Sequence, residues 1–499
     1  MTGTAGRRLF GSPILLQDWD QEADEGAAQF WELFLDLLLV AAASSIADNF
    51  KEHIQPHSSI SPLASVLEFA VLYFVTVNGW MLYTHHISAR FEDSSMSHSI
   101  VLFVFMLGLG ICIVNSTLIN PESLDQTIHT AQAFALGAIV QRVIIIVMLA
   151  GIAQSIKRAQ AFSFVLCAFL TISIISLWLC YLSLGHFSSN IVAMSFLACA
   201  AIWELFGEFL ILRFLSGNRL VPVNIEHSKE RLGALELIML GETVLSVTLT
   251  YRELSPETSD DTPYYLVLGL AFLLVYMFTL LLFHVQPEPR DHAFRRSRIH
   301  GLFLIMAHKV LGLALLAVGV SIKLVVHAVV LDEPMSLFGS RLMGCSVSAA
   351  LLIVWLIRVL HYGNREAIYF GPKMLVFGNN SWHDTLALTW WWVVALCWIL
   401  PLMGVLTGIT THNPIVSMSL HSGLLFGLCV MESSYTHYFS SVLPDTRRLD
   451  EPIIQEEQTL FSAETNLYSS TDYIVDQMNR DSVFRNSPKI LPNPSFETE

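Results

Sequence analysis

Acidic residues inside apolar segments are the feature of this sequence with the clearest chemical meaning. Glu242 lies in the run from Leu232 to Thr250, which is otherwise uncharged apart from Glu236. A membrane-spanning helix needs about 20 residues, so this run predicts a span with Glu242 near its middle. An acid there costs about 2.5 to 3.5 kcal/mol on insertion scales, and its side chain should face protein or a water-filled path. We therefore interpret Glu242 as a titrating functional centre, with Gly241 beside it leaving room for a neighbouring helix or a solute.

Several other ionisable residues lie within apolar segments. The candidate functional charges inside the membrane are Glu32, Asp36, Arg142, Glu204, Glu208, Arg231, Glu242 and Lys309. The acids outnumber Arg142 and Lys309, the only basic residues predicted at membrane depth, so some acids are expected to be protonated or to bind a cation. Glu32, Asp36 and Glu242 are expected to converge with Arg142 or Lys309. Alternatively, the charges serve only to fix helix packing, which is the preferred interpretation for Glu236 and Glu432.

Two stretches of the chain carry a resemblance to a known family. The first reads Glu-Leu-Phe-Leu-Asp-Leu from Glu32, and the second combines His227, Glu230, Arg231 and Gly233 with Gly-Glu-Thr at 241–243. In this order they resemble the bacterial low temperature requirement A (LtrA) family over residues 30–320, with Leu35 replacing the usual second aromatic residue. The resemblance implies a polytopic membrane protein with a site at these motifs. It implies no settled reaction.

Composition leads to the same class of protein. The chain of 499 residues is 54% hydrophobic and 14% charged, with a mean hydropathy of +0.56. A water-soluble core cannot bury that much apolar surface, so we predict an all-α, polytopic integral membrane protein with the lipid bilayer as its surroundings. The net charge of -15 comes largely from the two tails and one loop. Nothing in the sequence is basic enough to predict a nucleic-acid partner.

Apolar segments predict about 12 transmembrane helices. They cover residues 29–47, 63–86, 98–118, 131–155, 161–184, 190–213, 232–250, 264–285, 300–323, 341–360, 386–408 and 414–439. Most basic residues fall on one side of this topology, against Lys51, Arg252, Lys323 and Arg341 on the other. Because positive charge accumulates in the cytoplasm, both termini are predicted to be cytoplasmic. The sequence carries no signal for a particular membrane or for an oligomeric state.

The chain divides into four predicted regions. A cytoplasmic segment, 1–28, precedes two six-helix halves, 29–217 and 218–440, and a disordered acidic cytoplasmic tail, 441–499. The division into halves is based on a faint duplication. His85 and His98 lie on either side of the link between the second and third spans, and His284 and His300 lie on either side of the link between the eighth and ninth. Some transporters are built from parallel repeats of this kind, although similarity between apolar helices also arises by chance.

No motif in the sequence predicts a metal, a cofactor or a catalytic residue. There is no HExxH, and the HxxxH from His53 to His57 lies in a segment that contains Pro56. The seven cysteines lie in apolar runs without CxxC spacing, so they are interpreted as core residues. A P-loop and a GxSxG elbow are also missing from the sequence, which disfavours an enzyme.

The leading functional hypothesis is a permease for a small solute or ion, coupled to protons or cations through carboxylates near the membrane midplane. The alternative is a membrane sensor or scaffold for stress adaptation that transports nothing, in which the charges only hold helices together. A membrane-embedded enzyme would need a catalytic constellation that these residues do not assemble.

Overall fold

The regular structure of the described residues is helical apart from one short pair of strands. The computed structural model describes residues 13–15, 30–54, 61–92, 95–116, 124–184, 191–215, 221–254, 262–285, 292–362, 399 and 401–442. The strands are β1 (Ile14–Leu15) and β2 (Phe91–Glu92), which pair antiparallel. This small ladder attaches residues from the N-terminal segment to the link that follows the second predicted span.

The described helices follow one another along the chain. They are α1 (Phe30–His53), α2 (Pro62–Tyr83), α3 (Met96–Val114), α4 (Leu124–Ser155), α5 (Gln160–Ser183), α6 (Ile191–Phe214), α7 (Ile225–Leu254), α8 (Thr262–Val285), α9 (Ala293–Arg296), α10 (Arg298–Val330), α11 (Leu337–Tyr362), α12 (Pro401–Thr410) and α13 (Pro414–Val442). A buried π-helical turn, Thr84–Ser88, continues directly from α2. A 3₁₀ turn, Lys157–Ala159, joins α4 to α5.

Ten of the described helical segments are long and apolar enough to cross a membrane. The chain is therefore an all-α polytopic membrane protein, as predicted. Each of the twelve predicted spans corresponds to a described helix, although the eleventh, 386–408, lies mostly outside the described residues. Several helices differ in length from their predicted spans, among them α7 and α10. Helix α7 starts at Ile225 and not at Leu232, and α10 runs on to Val330, beyond the predicted end at residue 323.

Side-chain caps explain where several helices begin. Asn224 Oδ1 accepts a hydrogen bond from the backbone N–H of His227 at 3.1 Å, which fixes the start of α7. The Asn224 N–H in turn donates to the carbonyl of Ala89, 2.9 Å away, so this cap is tied to the end of the π-helical turn. Ser297 caps α10 by accepting from the His300 N–H at 3.2 Å. These caps place the polar first turns of α7 and α10 before their apolar stretches begin.

Helices α2 and α10 bury more of their apolar stretch than the other candidate spans do. Helix α10 packs against α7 and α11, and it also contacts α1, α2, α6 and α8. Helix α2 contacts α1, α4 and α6. Because α2 and α10 lie at the centre of these contacts, several charged residues on them and on their neighbours are buried, such as Lys309 and Glu242. The outer helices expose large apolar side chains suited to lipid, such as Phe164, Ile191 and Val114.

The expected close approach of helices at Gly241 is wrong. Gly241 is exposed, and a Cβ atom built on it would meet nothing within 4 Å. The close approach occurs at Gly319 on α10, where a Cβ would lie 2.5 Å from Thr243 Oγ1 and 3.2 Å from Glu242 Oε2. The glycine that gives Glu242 its tight surroundings thus belongs to the neighbouring helix.

Residues 1–429 form one compact unit, and residues 430–499 form a second. The division at 217/218 into two six-helix halves stays a prediction, as does the cytoplasmic position of both termini. The predicted disordered tail lies outside the described residues from position 443 onward, and most of the segment 1–28 does as well.

Candidate functional site

The predicted charges come together in buried pairs that join one helix to another. The pair formed by Arg142 on α4 and Glu204 on α6 is bidentate, with Nε to Oε1 at 2.8 Å and Nη2 to Oε2 at 2.7 Å. Arg142 Nη2 also donates to the carbonyl of Val75 on α2 at 2.7 Å, and Ser173 Oγ on α5 donates to Glu204 Oε1 at 2.5 Å. Four helices therefore meet at one charge-assisted hydrogen-bond cluster.

Glu208 lies one turn after Glu204 and pairs with a different helix. Lys309 Nζ on α10 donates to Glu208 Oε1 at 3.1 Å, and both side chains are buried. His86 Nε2, in the π-helical turn, lies 3.9 Å from the same oxygen. These groups border a small cavity of about 10 Å³ that Asn78 and Glu204 also line. The Glu208 carboxylate thus connects α6 to α10 beside the cavity.

The beginning of α7 pairs with the first two acids of α1, Glu32 and Asp36. Arg231 Nη1 donates to Asp36 Oδ2 at 2.8 Å, and Trp80 Nε1 on α2 donates to Asp36 Oδ1 at 3.1 Å. One turn earlier on each helix, His227 Nε2 lies 3.1 Å from Glu32 Oε1. Ser88 Oγ contacts Glu32 and His227, so the end of the π-helical turn closes this cluster.

Glu236, further along α7, pairs with a histidine of α10. Its Oε1 is in hydrogen-bond contact with His308 Nδ1, and both residues are buried. His308 directly precedes Lys309, so the two neighbours bind acids of different helices, α7 and α6. Glu236 was interpreted from sequence as a packing residue only, yet it has a titratable partner inside the protein.

Glu242 belongs to a separate cluster, near the C-terminal end of α1. Lys323 Nζ on α10 donates to Glu242 Oε1 at 2.9 Å and to Asp48 Oδ1 at 2.7 Å. Glu242 is 0% exposed and Lys323 is 1% exposed, whereas the Asp48 side chain is 60% exposed. Lys323 therefore links a fully buried carboxylate to an exposed one.

The partners expected for Glu32, Asp36 and Glu242 were wrong. Glu32, Asp36 and Glu242 do not converge with Arg142 or Lys309 but pair with His227, Arg231 and Lys323. The excess of buried acids is also smaller than expected, because histidines and Lys323 supply the missing partners. Lys323 was counted on the far side of the membrane because the predicted span ended there, but α10 continues for seven more residues.

The sequence interpretation missed five members of this network as functional charges: Asp48, His227, Glu236, His308 and Lys323. One signal could have found most of them. Each of Glu236, His308 and Lys323 lies in an apolar helix, where ionisable residues usually have a task or a partner. Among the described residues, no group of three or more His, Cys, Asp or Glu side chains is arranged to hold a metal ion.

The described charge network joins five pairs of helices: α1 with α7, α7 with α10, α6 with α10, α4 with α6, and α1 with α10 through Lys323.

The profile of the family described as bacterial low temperature requirement A protein (LtrA) matches residues 27–407. This range includes every charged pair described above. No curated protein and no solved structure matches the chain significantly. Because the family profile covers most of its length, the chain belongs to the LtrA family.

Proposed function

We propose that this protein is a permease for a small solute or ion, and that its buried carboxylates couple the movement of that species to protons. The observation that carries the proposal is the set of paired titratable side chains described above, which are distributed along the helices. We call this set the buried row. On α1, Glu32 and Asp48 are 16 residues apart, which corresponds to about 24 Å along the helix axis. The hydrocarbon core of a bilayer is about 30 Å thick. The row therefore extends over most of the depth of a membrane.

The nature of the pairs favours protons as the coupling ion. Two of them, Glu32 with His227 and Glu236 with His308, join a carboxylate to an imidazole. Carboxylates and imidazoles both donate and accept protons in proteins, so such a pair can pass a proton from one member to the other. An arginine partner keeps its proton at all physiological pH values, so Arg142 with Glu204 is a fixed pair.

Access to water supports the same function. Asp48 is mostly exposed, and through Lys323 it contacts the fully buried Glu242. We place this exposed end of the row at the water-facing surface, where a charge can exchange with solvent without crossing lipid. Adding a proton to one of these carboxylates, or removing one, changes the ion pairs that α10 makes. Side chains of α10 also bind Glu208 and Glu236. Coupling between proton binding and helix position needs a link of this kind.

The alternative, a membrane sensor or scaffold for stress adaptation, is favoured by one specific observation. Each acid of the network has a basic or histidine partner, and the cavity among the pairs has room for only about one water. Pairs of this kind can serve only to hold helices in register. The two functions differ in whether protons cross the membrane with a solute.

A flux assay separates the two functions. The full chain is reconstituted into liposomes loaded with a pH-sensitive dye, and a panel of monovalent cations, amino acids and sugars is added outside. At least one solute is expected to change the internal pH faster than in empty liposomes. Glu236→Gln should reduce this rate about tenfold or more, because a positioned acid or base contributes at least that much to a proton-transfer step.

The matched control is Glu333→Gln, which removes a carboxylate from an exposed site outside the network. This variant should keep the rate of the parent protein. If no solute in the panel changes the internal pH, or if Glu236→Gln and Glu333→Gln behave alike, the permease proposal fails and the scaffold is favoured.

A further inference from the structure

The cavity beside Glu208 has the size and the lining of a site for one water molecule. Its volume of about 10 Å³ is close to that of a single water site. Half of the residues that line it are polar, and the other half are apolar. The polar residues are Asn78 of α2, His86 of the π-helical turn, Glu204 and Glu208 of α6 and Lys309 of α10, and the apolar ones are Met81, Leu82, Leu166, Phe169 and Ile211. Empty cavities in proteins are apolar, whereas polar cavities of this size bind water that makes two to four hydrogen bonds.

Asn78 supplies the first sign that something binds there. Its side chain is 2% exposed, and Nδ2 donates to the carbonyl of Ala201 at 3.4 Å. Its Oδ1 atom is buried and accepts no hydrogen bond from any described residue. A buried acceptor without a donor costs about 1 to 3 kcal/mol. A water in the cavity can donate to Oδ1 and remove this cost.

The distance between His86 and Glu208 is the second sign. His86 Nε2 and Glu208 Oε1 are 3.9 Å apart, too far for a direct hydrogen bond and suited to a bridging water. Arg90 Nη1 lies 3.4 Å from the other ring nitrogen, Nδ1. Burial lowers the pKa of Arg90 to about 10, so this guanidinium stays charged at neutral pH and can only donate. Neutral His86 therefore carries its hydrogen on Nε2, the nitrogen nearer to Glu208.

These groups match the four hydrogen bonds of a water molecule. The His86 Nε2–H and a Lys309 N–H are available as donors, while Asn78 Oδ1 and the Glu208 carboxylate are available as acceptors. Glu204 is occupied by Arg142 and Ser173, so its charge is already balanced. A metal cation would need several oxygen ligands without a neighbouring ammonium, and Lys309 is a poor neighbour for it.

We infer that this cavity binds one water, which connects Glu208 to Asn78 and His86, and that Glu208 is the carboxylate at which the proposed permease takes up its coupling proton. The inference rests on the proposed function and specifies its ion and its site. The proton reaches Glu208 Oε1 through the bound water, which gives one of its hydrogens to the carboxylate as it accepts a proton from outside the cavity. This transfer leaves a neutral water and a carboxylic acid, and Lys309 keeps its own protons.

Proton uptake at Glu208 has a structural consequence because of what surrounds it. From α10 the carboxylate faces Lys309, from the π-helical turn it faces His86, and Glu204 is one turn away on its own helix. Arg90 and His85 lie behind His86, and Arg142 lies behind Glu204. Once Glu208 is neutral, the ion pair that holds α6 to α10 is lost. Helix α10 is then free to move relative to α6, which is the step that coupling requires.

Infrared difference spectroscopy of the full chain in lipid tests the inference directly. A pH step should produce the carbonyl stretch of a protonated carboxyl group, and Glu208→Gln should remove that band. A buried water should give a narrow O–H stretch that shifts when the sample is exchanged into H₂¹⁸O. This second measurement needs no variant, so it does not depend on whether a variant folds.

Asn78→Leu removes the acceptor at nearly constant volume and should abolish the water band. Without a water donating to its charged form, Glu208 should hold its proton about tenfold more tightly, a rise of about one unit in the pH midpoint of its band. Met81→Leu is the matched control, because Met81 lines the same cavity without a polar group that could bind water. It should leave both bands unchanged.

If the band shows no ¹⁸O shift, or if Asn78→Leu leaves the Glu208 midpoint unchanged, the water site is wrong. That failure is separate from failure of the permease, because solute-driven proton flux would then still be observed. Conversely, a Glu208 band that depends on Asn78, in a protein without flux, would support the site and overturn the permease.

Discussion

Arg142→Met is expected to destabilise the protein by about 3 to 5 kcal/mol, the largest effect of any single substitution in the network. The substitution leaves Glu204 buried without a cation, and it also removes the hydrogen bond to the carbonyl of Val75. Four helices meet at this cluster, so its loss loosens α2, α4, α5 and α6 together. The measurement is the free energy of unfolding of the full chain in mixed micelles, obtained by denaturant titration.

The double variant Arg142→Met with Glu204→Leu is the control. Replacing both members of a buried ion pair by apolar residues of similar volume is often neutral, so most of the lost stability should return. A double variant as unstable as Arg142→Met would mean that shape and not charge explains the loss. A single variant with parental stability would contradict the buried pair itself.

Lys323→Met is expected to be far more damaging than Glu242→Gln, although the two residues form one ion pair. Without Lys323, the fully buried Glu242 loses its cation, at a cost of about 3 kcal/mol or more. Without the charge of Glu242, Lys323 still binds Asp48, which is in contact with solvent. Glu242→Gln keeps shape and hydrogen bonding, so its cost should be about 1 kcal/mol.

The same unfolding titration measures both variants, with Asp48→Asn as a third. Because Asp48 is mostly exposed, its loss should cost less than the loss of Lys323. Equal effects of Lys323→Met and Glu242→Gln would contradict the asymmetric cluster. If Glu242→Gln were the most damaging of the three variants, Glu242 would be the structural anchor and Lys323 only an accessory.

The sequence was sufficient for the class of fold and for part of the set of buried charges. Apolar segments of about 20 residues predict membrane helices because the bilayer leaves no other way to satisfy the backbone. Ionisable residues within those segments stand out for the same reason. Arg142, Glu204, Glu208 and Lys309 were all identified in this way, and the structure brings all four close to the cavity.

The partners could not be predicted, because pairing depends on which helices touch. Glu204 and Glu208 lie on one face of α6, yet they bind α4 and α10 respectively. Nothing in the periodicity of α6 contains that information. Lys323 was misplaced for a different reason. Hydropathy marks the apolar stretch of a helix but not its end, and α10 extends well past the length that a bilayer requires.

The π-helical turn shows a further limit of sequence patterns. His85 and His86 follow each other at the end of an apolar segment and were expected simply to end a span. In the structure the wider turn at Thr84–Ser88 buries both rings, directs His86 toward Glu208 and brings Ser88 to Glu32. Such turns often occur at functional sites, but their position follows from the packing of several helices.

The most direct test of proton coupling is the charge displaced by a pH step across a supported membrane that carries the reconstituted protein. Proton binding within the buried row should produce a transient current that empty liposomes do not give, and Glu333→Gln should leave this current intact. Glu236→Gln should reduce the displaced charge, because it removes a titratable group from the row. A wild-type protein that gives no current beyond that of empty liposomes would contradict the account.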